Sequence, residues 1–125
     1  MVISTSLIRG GIYLANLNPS KGSEPGKIRP VLVMQNDWLN EVNHPTVIIL
    51  PLSTVLIDEA EPLRFRLTPR EKLLKPSDVL CDQIRALDIR RITSECLTTL
   101  NHEELKAVEN NVAQIIGLSI NNTLN

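Results

Sequence analysis

Arg29 is the residue of this 125-residue chain whose setting most favours chemistry. The stretch Asn18-Pro19-Ser20-Lys21-Gly22-Ser23-Glu24-Pro25-Gly26-Lys27-Ile28-Arg29-Pro30 runs straight into Val31-Leu32-Val33-Met34. A polar connection of about ten residues is longer than a hairpin needs, and such loops often carry function. Pro30 biases Arg29 toward extended backbone. A guanidinium held at a strand start can grip a phosphate or a pentacovalent oxyanion through two parallel hydrogen bonds. It can equally form a structural salt bridge with Glu24 or Asp82, and the residues alone leave both readings open. The loop is not a phosphate-binding P-loop, because no Gly-Lys-Ser/Thr opens a helix there.

Further polar groups interrupt apolar segments. Pro51-Leu52-Ser53-Thr54 closes the most apolar run with adjacent hydroxyls, which serve either as donors to a phosphate oxygen or as turn residues. Cys81-Asp82-Gln83 sets an acid and an amide inside an apolar stretch. A carboxylate there must be paired, exposed or functional. Gln83 offers a donor and an acceptor, which suits a base edge. His44 falls in a polar turn and His102 in a helix cap, so no Ser/His/Asp or paired-histidine arrangement can be assembled. Cys81 and Cys96 make neither a metal cluster nor a disulfide framework, and read as small buried residues of a reducing compartment. Chemistry in this chain must therefore use arginine, glutamate and hydroxyls. No metal or cofactor is implied.

The elements that must position these groups are mostly strands. Ile12 to Leu17, Val31 to Gln35 and Thr46 to Leu52 read as strands, the last two buried on both faces. Leu63-Arg64-Phe65-Arg66-Leu67 alternates strictly, with two arginines on one face. Val79 to Ile84 reads as another strand, followed by a short one near Glu95 to Leu100. Asn101-His102-Glu103-Glu104 has the form of a capping box. Leu105, Val108, Val112, Ile115 and Ile116 then mark one face of a helix, with Gly117 as its stop. Short strands followed by one amphipathic helix predict a small twisted sheet or barrel with the helix docked on it.

Composition bounds the function. The length fits one domain, and 42% hydrophobic residues can bury a core. Tyr13, Trp38 and Phe65 are the only aromatics, which argues against a nucleic-acid binder built on rows of stacking rings. The net charge of -1 divides into a mildly basic body, residues 1–91, and an acidic tail, residues 92–125. This is compatible with a polyanionic partner without requiring one. No apolar run is long enough to span a bilayer and no signal peptide is seen, so a cytoplasmic protein is expected.

Four blocks, in order, resemble the MazF/PemK (also called Kid) toxins of type II toxin-antitoxin systems. They are Arg9-Gly10-Gly11-Ile12-Tyr13-Leu14 leading to Leu17-Asn18-Pro19; Ser20-Lys21-Gly22-Ser23-Glu24 through Lys27-Ile28-Arg29-Pro30-Val31-Leu32-Val33; Val47 to Thr54; and Val79-Leu80-Cys81-Asp82-Gln83-Ile84-Arg85-Ala86-Leu87-Asp88, with Glu103-Glu104-Leu105 opening the final helix. The resemblance spans nearly the whole chain. It implies an SH3-like small β-barrel with a C-terminal helix, the plasmid-maintenance toxin or CcdB-like fold, working as a homodimer. It implies a metal-independent, sequence-specific endoribonuclease. In such toxins the 2′-hydroxyl of single-stranded RNA attacks the adjacent phosphate, leaving a 2′,3′-cyclic phosphate and a 5′-hydroxyl.

The family's essential arginine falls on Arg29 and its strand-end threonine on Ser53, with Thr54 as the substitute if the register shifts by one. Serine keeps the hydroxyl and loses the methyl. Glu24 is then the candidate general base, or the group that orients Arg29. Asn18, Lys21, Asn36, Thr54, Asp82, Gln83 and Arg85 are expected to line the RNA groove. Leu80 departs from relatives such as Kid, which place a catalytic arginine there, and the burden shifts to Arg29. The implied partner is an acidic antitoxin segment, MazE/PemI-like, that covers the groove. Two rivals stand beside this reading: a CcdB-like toxin that poisons a topoisomerase, and a non-catalytic binding barrel in which Arg29 is structural.

Overall fold

The two β-branched runs become the central strands of one sheet. The computed structural model describes residues 7–19, 21–23 and 27–119. In chain order the elements are β1 (Gly11–Asn16), β2 (Ile28–Val33), α1 (Asp37–Glu41), β3 (Thr46–Ser53), β4 (Arg64–Leu67), β5 (Ser77–Leu80), β6 (Arg85–Asp88), a 3-10 turn (Ile89–Arg91), β7 (Thr98–Thr99) and α2 (His102–Ile116). The seven strands run β4-β5-β3-β2-β1-β7, with β6 also paired to β3. Every pairing is antiparallel. The result is the expected β-dominated half-barrel with a C-terminal helix.

β3 is the axis of this arrangement. One edge pairs with β2, Val31 opposite Pro51 and Val33 opposite Ile49. The other edge pairs first with β6, ending at Ile49 opposite Arg85, and then with β5, from Leu52 opposite Val79. Leu50 and Pro51 fall between the two partners. A proline, which cannot donate to a ladder, is tolerated in a central strand at such a break.

The strand period of two sorts the side chains. Val31, Val33, Val47 and Ile49 pack with Tyr13, Leu17 and Leu87 on one side of the sheet. Leu32, Leu50 and Leu52 point to the other side with Ile12 and Val79, where Val108 and Val112 of α2 cover them. Each fully buried aliphatic side chain contributes about 1.5–3 kcal/mol relative to an exposed one.

α2 forms as its sequence predicts. Asn101 accepts from the Glu104 amide, and the Glu104 carboxylate accepts from the Asn101 N–H. Gly117 ends the helix in the left-handed region, φ 79°. Arg70 Nη2 donates to both Glu104 oxygens at 2.5 Å, and Arg9 pairs with Glu109 at 2.6 Å, tying the helix to the sheet. Ile116, expected on the buried face, is instead exposed, while its neighbour Ile115 packs against the core.

Two local expectations are corrected. The strand expected over Val79 to Ile84 is two shorter ones: β5 ends at Leu80, Cys81 and Asp82 turn, and β6 begins at Arg85. The chain must turn here because β5 and β6 pair with different parts of the same strand. The helix α1 was not expected; Asn36 caps it by accepting from the Trp38 N–H at 3.0 Å. Among the described residues no helix is long and apolar enough to cross a membrane.

Candidate active site

The loop between β1 and β2 is clasped at its base. The Leu17 N–H donates to the Lys27 carbonyl at 2.8 Å, and the Lys27 N–H to Asn18 Oδ1 at 2.7 Å. Arg91 Nη1 adds bonds to the Asn16 and Asn18 carbonyls, at 3.0 and 2.7 Å. Lys27 takes φ 70°, a left-handed conformation that a non-glycine residue holds at a cost and that is met at functional loops. The chain then enters β2 with Arg29 opposite Ala15.

Arg29 leans across to β3. Its Nη1 donates to the Leu52 carbonyl at 3.1 Å. Val31 faces Pro51, so the same register carried two residues on sets Arg29 opposite Ser53. Ser53 in turn lies opposite Asp78 in β5, and Asp78 opposite Arg66 in β4. Directly opposed residues of antiparallel strands share a face. Arg29, Ser53, Asp78 and Arg66 therefore make one polar row across four strands, on the side of the sheet away from α2.

The first half of this row opens into a cleft of about 290 Å³, lined by Arg29, Pro30, Ser53, Thr54, Val55 and Ser77. Burial lowers the pKa of Arg29 from its ordinary value, so part of its hydration has been removed before a ligand arrives. The Ser53 Oγ accepts from the Val55 N–H at 3.1 Å, which leaves its hydrogen to be donated outward. A guanidinium and a hydroxyl converging in a half-buried cleft can stabilise an oxyanion.

The second half of the row is anchored by Asp78, only 1% exposed. It accepts from Arg66 Nε at 2.5 Å, from Arg64 Nη1 at 3.1 Å and from the Ile57 N–H at 3.0 Å. Burial pushes this carboxyl up; the bonds from Arg66, Ile57 and Arg64 outweigh it and hold its pKa below 3.8. The sequence reading missed Asp78, although an acid just before Val79 in an apolar stretch was the available signal. Arg64 and Arg66 were seen as a charged face without their partner.

The remaining expected residues scatter. Glu24 lies outside the described residues. Thr54 is exposed on the rim of the Arg29 cleft, and Lys21 is exposed on the loop. Asn18 has its side-chain oxygen committed to Lys27. Asn36 is not brought to the cleft: it caps α1, beyond the opposite end of β2 from Arg29. Asp82 and Gln83 line a separate cleft of about 340 Å³ together with Ser23 of the β1–β2 loop, Leu63, Arg64 and Leu80. They sit in the turn after β5 rather than inside a strand. Arg85 shares the site face through Ile49, but Ile49 is four residues before Ser53, about 13 Å along β3. Cys81 is buried, and burial pushes its thiol up to about 11; Cys96 is only half-buried. Among the described residues no three His, Cys, Asp or Glu side chains are grouped to hold a metal ion.

Residues 8–116 match the family of PemK-like, MazF-like toxins of type II toxin-antitoxin systems. The chain belongs to this family. A Staphylococcus saprophyticus protein named endoribonuclease MazF is 40% identical over 111 residues, covering 88% of this chain and 91% of that protein. A Staphylococcus epidermidis protein of the same name is 39% identical over 115 residues, covering 91% and 92%. Solved structures share the fold. MazF from Deinococcus radiodurans superposes with a TM-score of 0.76 at 24% identity, covering 92% of this chain and 100% of that one. A MazE–MazF structure from the same organism gives 0.72 at 22%, covering 93% and 100%.

Proposed function

We propose that residues 1–125 form one toxin domain, a cytoplasmic, metal-independent endoribonuclease that cuts single-stranded RNA at a preferred sequence. The observation that carries this reading is that Arg29 and Ser53 line one cleft between two central strands, with Arg29 bonded to the Leu52 carbonyl beside Ser53. The RNA 2′-hydroxyl attacks the neighbouring phosphorus and loses its proton. The bond from phosphorus to the 5′-oxygen breaks, and that oxygen takes up a proton. The products are a 2′,3′-cyclic phosphate and a 5′-hydroxyl. Arg29 and the Ser53 hydroxyl donate to the phosphate oxygens as charge builds on them. Glu24 acts as the base or holds Arg29 in orientation. Lys21 and Arg85 contact phosphates, and Asn18, Thr54, Asp82 and Gln83 complete the groove, Asp82 and Gln83 toward base edges. Splayed single-stranded bases expose the edges such groups read.

The active species is a homodimer, and an acidic antitoxin segment like those of the MazE/PemI class folds onto the groove and closes it. The solved MazE–MazF structure from D. radiodurans and the family match support this partner. Both free thiols suit a reducing compartment. The family match favours this reading over a CcdB-like topoisomerase poison.

The test is cleavage of single-stranded RNA in excess chelator, with both new ends identified. Arg29→Ala is expected to stay folded and to cut about 10²–10³ times more slowly. Equal rates for wild type and variant sink the assignment of Arg29. A variant that loses its fold along with its activity favours the non-catalytic barrel.

A further inference from the structure

Beyond Ser53 the polar row runs into a cleft that the chemistry at Arg29 leaves unused. The segment between β3 and β4 folds over the sheet edge and encloses about 370 Å³ with Ile57, Asp58, Glu59, Glu61, Arg64 and Arg66 around it. This is within the size range of small-molecule sites. Asp78 belongs to the same cleft, and it fixes both arginines. Arg64 Nη1 also donates to the Val55 carbonyl at 2.9 Å, and Arg66 Nη2 to Asp58 Oδ1 at 3.0 Å. The two guanidinium groups are thus immobilised before any ligand binds, which removes an ordering cost from recognition. Arg66 Nη1, and Nε and Nη2 of Arg64, make no hydrogen bond among the described residues.

Charge decides what fits. Asp58, Glu59, Glu61 and Asp78 outnumber the two arginines, so the cleft repels a phosphate. Donors and acceptors nevertheless stand side by side at the Arg66–Asp58 pair. A neutral, planar group with its own donors and acceptors along one edge satisfies both. A nucleobase is such a group. The excess of carboxylates selects bases with an exocyclic amino group, as an acidic side chain accepts from the amino group of cytosine. Uracil sets a carbonyl on each side of its one N–H and turns them toward the acids. Position agrees: Asp78 is one strand from Ser53, a separation of about 5 Å between opposed backbones, and Arg66 is one strand further.

We infer that this cleft is a base-selecting subsite for a nucleotide flanking the cut, with Arg64, Arg66, Asp58 and Glu61 reading the base edge and Asp78 positioning both arginines. The inference rests on the nuclease reading above. Its test uses the full chain and a pool of single-stranded RNA of randomised sequence, with the cut ends sequenced. Wild type, Asp58→Asn, Glu61→Gln and Arg66→Gln are compared. Wild type discriminates against uracil at one position beside the cut. Each variant lowers that discrimination by about tenfold, at that position alone. An unchanged preference in all three variants overturns the inference. So does a uniform loss of cutting at every sequence with a shallower salt dependence, the mark of a backbone contact. Wild type that cuts without any preference beside the cut overturns it too, while leaving the nuclease reading intact. Wild type that leaves the pool uncut overturns both.

Discussion

Asp78→Asn tests whether the buried carboxylate organises the polar row. The wild-type group accepts two arginine bonds and one backbone N–H while 1% exposed. Removing one partner of a buried ion pair costs about 3–5 kcal/mol. That figure is an upper bound here. The Arg64 and Arg66 side chains are 20% and 37% exposed, so they can turn toward water, and Arg66 keeps Asp58. Asparagine retains one acceptor oxygen but turns an amide toward the arginines. The expected loss is about 2 kcal/mol, a typical cost for a buried group left poorly bonded.

Urea denaturation reads it as a lower midpoint at unchanged slope. The effect also has a pH signature. The Asp78 pKa lies below its ordinary value in the folded chain, so the stabilisation is complete above the ordinary carboxylate range and disappears as pH falls below about 4. The stability gap between wild type and variant should therefore close on acidification. A gap below about 0.5 kcal/mol at neutral pH, the scatter of an ordinary surface change, refutes the reasoning. So does a gap that stays constant down to pH 3.

The hydroxyl assignment separates in one pair of variants: Ser53→Ala should slow RNA cleavage by about 10²–10³, and Thr54→Val by less than about tenfold. The reverse order moves the role to Thr54. Glu104→Ala removes half of the capping box and both Arg70 bonds, so a loss of about 2 kcal/mol is expected in thermal or urea unfolding. A loss of only a few tenths would show that the helix is held by its apolar face alone. In the folded protein at pH 8, iodoacetamide should modify Cys96 well before Cys81, whose thiol is fully buried and pushed up to about 11. Peptide mass spectrometry with early labelling of Cys81 would contradict the packing of β5 on α2.

The central strands were legible because Val31-Leu32-Val33 and Val47 to Leu52 leave no polar face, and a strand buried on both sides has few alternatives. The helix was legible because its cap, stripe and stop lie within one continuous segment. Arg29 and Ser53 could each be picked out locally, one by Pro30 and the loop before it, the other as a hydroxyl ending an apolar run. Their meeting could not be read. It follows from the register of β2 on β3, a property of two segments at once. The position of Asp78 carried a signal, but its role could not be read for the same reason, since its partners come from β4 and from the segment before it. Asn36 was misplaced because its side chain is satisfied by α1, a helix of five residues with little periodicity to betray it. Asp82 and Gln83 were put inside a strand because Leu80 and Cys81 are apolar enough to hide a turn.

The pairing of β3 also fixes the order in which the protein can become dangerous. Its β2 edge is synthesised before it, whereas β5 and β6 come after it. A chain still on the ribosome that ends shortly after Thr54 already carries Arg29 and Ser53, but one flank of the strand between them is bare. Neither Asp78 nor its arginines exist to hold the segment that walls the cleft. The cleft is therefore completed only once β5 and β6 have been translated, and α2, which seals the opposite face, follows them. A toxin with this strand order leaves that cleft unassembled until its later strands emerge.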